Sequence, residues 1–69
     1  MKISARNSFK GIVKKVKVGA VSAEVSIEIS AGINIISTIT KSSAENLELE
    51  ESKEAYVVIK ASDVIVVID

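Results

Sequence analysis

Cysteine, histidine, proline and tryptophan are all missing from this chain of 69 residues, and each absence closes a route. Without cysteine there is no disulfide, and without either cysteine or histidine the usual zinc ligands are gone. The same two gaps remove the commonest general base and the thiol nucleophile. The serines lie in no recognisable catalytic arrangement, so no enzyme is expected. Three glycines, scattered at Gly11, Gly19 and Gly32, make no phosphate-binding loop. Phe9 and Tyr56 are the only aromatics, too few for a base-stacking platform, and nine basic against nine acidic side chains leave a formal charge of zero. Nucleic acid is therefore not an expected partner. No apolar run approaches the roughly 20 residues that span a bilayer. Met1-Lys2-Ile3 leads into the first pattern without the apolar run of a signal peptide, so no membrane is expected and the location is expected to be cytoplasmic.

What is present is apolar β-sequence. Hydrophobic residues make up 48% of the chain against 26% charged, with a mean hydropathy of +0.39, the balance of a folding domain. One domain over 1–69 is all it can hold. A chain of this size buries only about 60% of the surface its unfolded form exposes, which leaves a thin core. With disulfides and a structural zinc removed, association is the expected remedy. Charge is unevenly placed: six of the nine basic residues precede position 18, whereas Glu45, Glu48, Glu50, Glu51 and Glu54 crowd a later segment. Adjacent copies could attract each other through these opposite fields.

Strict alternation of Val21, Ala23, Val25, Ile27 and Ile29 with Ser22, Glu24, Ser26, Glu28 and Ser30 predicts a strand with one buried face. Phe9 to Val18 alternates less cleanly, as a twisted or bulged strand would, and Gly19-Ala20 turns it into a hairpin. Beyond a turn at Ala31-Gly32, the β-branched run Ile33 to Thr40 carries apolar residues on both faces and predicts burial on both sides. Lys41 to Leu49 breaks the alternation. Ser42 or Ser43 is the expected cap of a short helix through Ala44 to Leu47, with Glu45 in its first turn. Ala55 to Ile59 and Val64 to Ile68 read as two more strands joined by Lys60 to Asp63. Core packing is the expected duty of Phe9 and Tyr56. The sum is an all-β chain of five strands with one short helix between strands 3 and 4; a closed barrel and an antiparallel sandwich both satisfy the periodicity.

Two tetrapeptides at the margins of this β-sequence carry the chemistry: Ser4-Ala5-Arg6-Asn7 and Lys60-Ala61-Ser62-Asp63. A tetrahedral oxyanion offers only acceptors, so its site must consist of donors. Arg6 supplies a planar fork and Lys60 a compact charge. Ser4, Ser62 and Thr40 can donate from hydroxyls, and the amides near Ala5 and Ala61 from the main chain. Asn7 could hold the Ser4 to Arg6 segment in shape. Read alone, Arg6 could equally be a surface cation, Lys60 a solubilising lysine at a strand end, Thr40 a strand residue and Ser62 the start of a turn.

With Lys10-Gly11, Ala23-Glu24-Val25, Ser37-Thr38-Ile39-Thr40 and Lys53-Glu54-Ala55-Tyr56 between them, these tetrapeptides make the whole chain resemble the molbindins. Those are small cytoplasmic molybdate-binding proteins built on the TOBE domain, also described as molybdenum-pterin-binding. The resemblance implies an OB-like five-stranded barrel. It implies reversible binding of molybdate, and of tungstate, for intracellular molybdenum storage and homeostasis, with no organic cofactor and no directly coordinated metal cation. The oxyanion site it implies is lined by Ser4, Ala5, Arg6, Thr40, Lys60, Ala61 and Ser62, at subunit interfaces of a homohexamer built as a trimer of dimers. A possible second site falls around Gly19 and Ala20. Two other readings stay open: an oxyanion-sensing subunit of a transporter or regulator, and a ligand-free interaction module. The chain departs from the family at Ala31, Glu48 and Ser52, where relatives commonly carry glycine, so a positive φ is expected in or beside those turns.

Overall fold

The alternating run centred on Val25 becomes the inner strand of an antiparallel sheet, because both of its neighbours in sequence fold back beside it. The structure is a computed structural model and describes residues 4–69. Its elements are β1 (Asn7–Val18), β2 (Ser22–Ser30), β3 (Ile33–Thr40), α1 (Lys41–Asn46) and β4 (Glu54–Ile59), followed by a single 3-10 turn at Ala61–Asp63. Strand order is β3-β2-β1-β4, so β3 and β4 are free edges of an open four-stranded sheet.

The uneven alternation of β1 has a local cause. Val13 pairs with Ile27 and Lys15 with Ser26, which leaves Lys14 as an extra residue in a bulge. Val13 faces inward before the bulge and Val16 after it, so both odd and even positions serve one core. That core is wholly aliphatic: Val13, Val25, Ile27 and Val57 are buried together, with Val16, Ile29, Ile35, Ile39 and Leu49 packed around them. Gly11 is required by close approach, since a Cβ there would sit 2.6 Å from the Glu28 carbonyl oxygen and 2.7 Å from Ile27 Cγ2.

Several expectations are corrected. Val21 is not buried with the rest of its series, because the hairpin turn takes it out of β2 and its carbonyl accepts from the Lys41 amide at 2.9 Å. β3 buries one face only: Ile35 and Ile39 are half-buried, Ile36 on the opposite face stays exposed with no described residue covering it, and Ile33 is exposed at the start of the strand, opposite Ser30. Phe9 and Tyr56 are exposed too, Tyr56 on the outer face of β4 opposite Lys10, and Phe9, across the ladder from the core residue Val57, with 39% of its surface still open. The helix cap is Thr40, not Ser42 or Ser43. Its Oγ1 accepts from the Ser43 amide at 3.0 Å and donates to Ser43 Oγ at 2.7 Å, and no acidic residue lies in the first turn. Lys53 closes the other end, its Nζ donating to the carbonyls of Leu47 at 3.2 Å and Glu48 at 3.0 Å.

Of the three positions where glycine was expected, Glu48 (φ 53°) and Ser52 (φ 73°) adopt the left-handed conformation with side chains present. At Ala31 the burden passes to the next residue, Gly32, at φ 76°. The largest departure is the fifth strand. Val64 to Ile68 joins no sheet, and Ile65 to Ile68 are each at least 80% exposed. The 3-10 turn at Ala61–Asp63 ends the pairing with β1, and among the described strands none takes up this run.

Candidate functional site

The ladder between β1 and β4 brings the two tetrapeptides together. It runs residue for residue from Ile12 opposite Glu54 to Asn7 opposite Ile59. Carried onward in the same register, it sets Arg6 against Lys60, Ala5 against Ala61 and Ser4 against Ser62. The regular pairing stops at Asn7, the strands part, and a hollow of about 580 Å³ opens between them, lined by Ser4, Ala5, Arg6, Val58, Lys60, Ala61 and Ser62. Six of the seven residues expected at the site thus share one cavity.

The turn after β4 shapes its far wall. Asp63 donates its amide to the Lys60 carbonyl at 2.9 Å and Val64 to the Ala61 carbonyl at 3.2 Å. The amides of Ala61 and Ser62 precede these closed bonds and take no part in them. Ala5 and Ala61 are small enough to leave main chain near the centre. Two cationic side chains, two hydroxyls and main-chain amides surround the space, and among the described residues lining it there is no carboxylate. Such a lining attracts an anion and can satisfy acceptor oxygens from several sides. A cavity of this volume is far roomier than one small ion requires and is open to solvent, so this chain alone does not enclose its ligand.

Thr40 lies elsewhere. It ends β3, paired with Ser22, and its hydroxyl is engaged in capping α1. Asn7 opens β1 opposite Ile59 and does not line the hollow. Gly19 borders a separate, smaller depression of about 210 Å³ with Lys17, Val18, Ser22, Glu24 and Thr38; Ala20 does not border it. Val58 was missed by sequence reasoning. Its signal was period two: it stands two residues before Lys60 on the same face of β4, opposite Ser8.

Residues 3–66 match the TOBE domain family. The chain is 52% identical over 64 residues to the molybdenum transport protein ModE of Azotobacter vinelandii, covering 93% of this chain but only 24% of that protein. It is 47% identical over 66 residues to a probable molybdenum-pterin-binding protein of Haemophilus influenzae, covering 96% of each. Among solved structures it superposes on MopII from Clostridium pasteurianum with a TM-score of 0.90 at 43% identity, over 97% of this chain and all of that one. It also superposes on the cytoplasmic molybdate-binding protein ModG, in a form with molybdate bound, with a TM-score of 0.89 at 43% identity, over 94% of this chain and 46% of that one. The family match spans both tetrapeptides and the turn that follows β4, and the matches in sequence and in backbone each cover more than nine-tenths of the chain: it belongs to the TOBE domain family, in its molbindin branch.

Proposed function

We propose that the chain binds molybdate reversibly in the hollow between Ser4-Ala5-Arg6 and Lys60-Ala61-Ser62, and takes tungstate in the same way, to store the ion in the cytoplasm. One observation carries the reading: the register of β1 and β4 converges a guanidinium, an ammonium and two hydroxyls on a space whose described lining holds no carboxylate. A dianion and two cations leave water at high cost unless every oxygen is satisfied. Hydroxyls and amides beside the two charges meet that need.

The site is completed by other copies of the chain. Its accessible surface of 5573 Å² exceeds the about 4,200 Å² of a compact monomer of 7.3 kDa, an excess of about 1,400 Å² that is more than the about 800 Å² one partner buries in a standard interface. Between the free edges β3 and β4 lies an apolar groove of about 290 Å³, lined mainly by Val25, Ile27, Ile39, Leu47, Leu49 and Tyr56. Four apolar residues, Ile65 to Ile68, lie at least 80% exposed, and Val64 before them is half-exposed. A second copy's Val64 to Ile68 laid in that groove would supply the fifth strand and close the barrel, and a hexamer built as a trimer of dimers is the assembly we propose. The kinship with a quarter of ModE favours a second reading, in which the same oxyanion site reports molybdate to transport machinery.

Titration calorimetry of the assembled protein with molybdate, with sulfate as the control, tests the first reading. Heat of binding at micromolar molybdate is expected. No binding at that level rejects the function, and equal uptake of sulfate removes its selectivity. Co-purification of a transport or regulatory partner would decide for sensing over storage.

A further inference from the structure

Every lining residue of the hollow except one has an evident reason to face an anion. Arg6, Lys60, Ser4 and Ser62 donate from side chains, and Ala5 and Ala61 leave main chain accessible. Val58 does neither. It is 43% exposed, lies on the same face of β4 as Lys60, and turns a branched hydrocarbon surface toward the space the donors surround. Its neighbour across the ladder is Ser8, so a polar side chain is accommodated one position away on the same face. An apolar wall beside two cations is a place where an anion loses water and gains no hydrogen bond.

We propose that Val58 is a specificity-determining residue, which favours the larger, more weakly hydrated tetrahedral dianion by denying a donor along one wall. This rests on the reading of the hollow as an oxyanion site. Molybdate and sulfate share charge and shape, so the cations treat them alike at long range. They differ in how tightly the charge is held. Sulfate is smaller, its charge is more concentrated, and the cost of stripping its hydration is correspondingly greater. A missing donor therefore penalises sulfate more than molybdate. Discrimination of this kind comes from leaving part of the competitor unsatisfied, independently of how well either ion fills the space.

Val58→Thr separates this from selection by size. The two side chains are nearly isosteric and both are β-branched, so β4 and the cavity volume are preserved while one hydroxyl donor is added. Affinities for molybdate and sulfate are measured by calorimetry on wild-type and variant assemblies of equal mass. Sulfate affinity is expected to rise roughly three- to tenfold, the worth of one net hydrogen bond, with molybdate changing less, so the preference narrows. Val58→Ala is the companion variant: it widens the hollow and adds no donor, and the preference is expected to hold. An unchanged ratio in Val58→Thr, or a ratio shifted toward sulfate in Val58→Ala, overturns the proposal in favour of fit. Absence of molybdate binding by the wild-type protein would instead overturn the underlying functional reading.

Discussion

The middle of the sheet and the end where the two tetrapeptides meet share β1 and β4, yet they differ in burial, polarity and pairing. Around Val13, Val25, Ile27 and Val57 the side chains are aliphatic, buried and free of polar groups, and Gly11 lets β1 and β2 approach until no Cβ would fit. Beyond Asn7 and Ile59 the ladder stops, the lining becomes cationic and hydroxylic, and the next apolar run is left in solvent. The buried core and the donor-lined hollow are thus separated along β1 and β4. The donors sit where the backbone has been released from pairing, and none of the core residues lines the hollow. A site at the frayed end of a ladder is incomplete by construction, which is why its closure is assigned to a neighbouring copy.

That contrast can be broken in four ways. The largest effect is expected from removing Ile65 to Ile68. If this run covers another copy, the truncated chain loses assembly altogether in light scattering, and molybdate binding goes with it; a truncated chain of unchanged mass would show that the exposed run does not build the interface. Ile27→Ala is next. Deleting most of a buried aliphatic side chain is expected to cost about 2–5 kcal/mol of stability by denaturant titration, and a much smaller loss would mean that the core is not where this chain keeps its stability. Arg6→Ala should behave in the opposite sense, lowering molybdate affinity roughly ten- to a hundredfold, the worth of its charge-assisted hydrogen bonds, while mass and unfolding midpoint hold. Unchanged affinity would place the site elsewhere. The smallest effect is expected at Thr40→Ala, which removes the cap of α1 and should cost about 1 kcal/mol with molybdate affinity kept within about twofold. A deep fall in affinity there would mean that Thr40 reaches the site of another copy, as the family likeness implied.

Legibility followed the range of the interactions involved. The strand from Ser22 to Ser30 could be read from alternation alone, because a half-buried strand writes its environment into every second residue. The irregularity of β1 could be read as a bulge but not located, since its position depends on which residues of β2 stand opposite. The helix cap was misplaced by two or three residues: Thr40, Ser42 and Ser43 all offer a hydroxyl, and only the path of β3 into α1 decides which one reaches an amide. Phe9, Tyr56 and the outer face of β3 were wrongly assigned to the interior, because apolar character alone does not say whether the covering surface belongs to the same chain. At the site, the donors were visible by their chemistry. Val58 was missed, because its one signal is its spacing of two from Lys60, and a valine in a β-branched run otherwise reads as ordinary core sequence.

By itself, the order of residues determined that this chain would be β-rich, would lack disulfide and zinc support, and would carry two donor-rich tetrapeptides at its margins. These follow from side-chain chemistry and from periodicities of two, which are local. Only the tertiary structure decided that Arg6 and Lys60 share one cavity, that the ladder ends just short of them, and that the last apolar run finds no edge in its own sheet. Those facts depend on strand register, and register is set jointly by residues 42 to 52 positions apart, from Ile12 opposite Glu54 to Asn7 opposite Ile59, whose pairing no local pattern encodes.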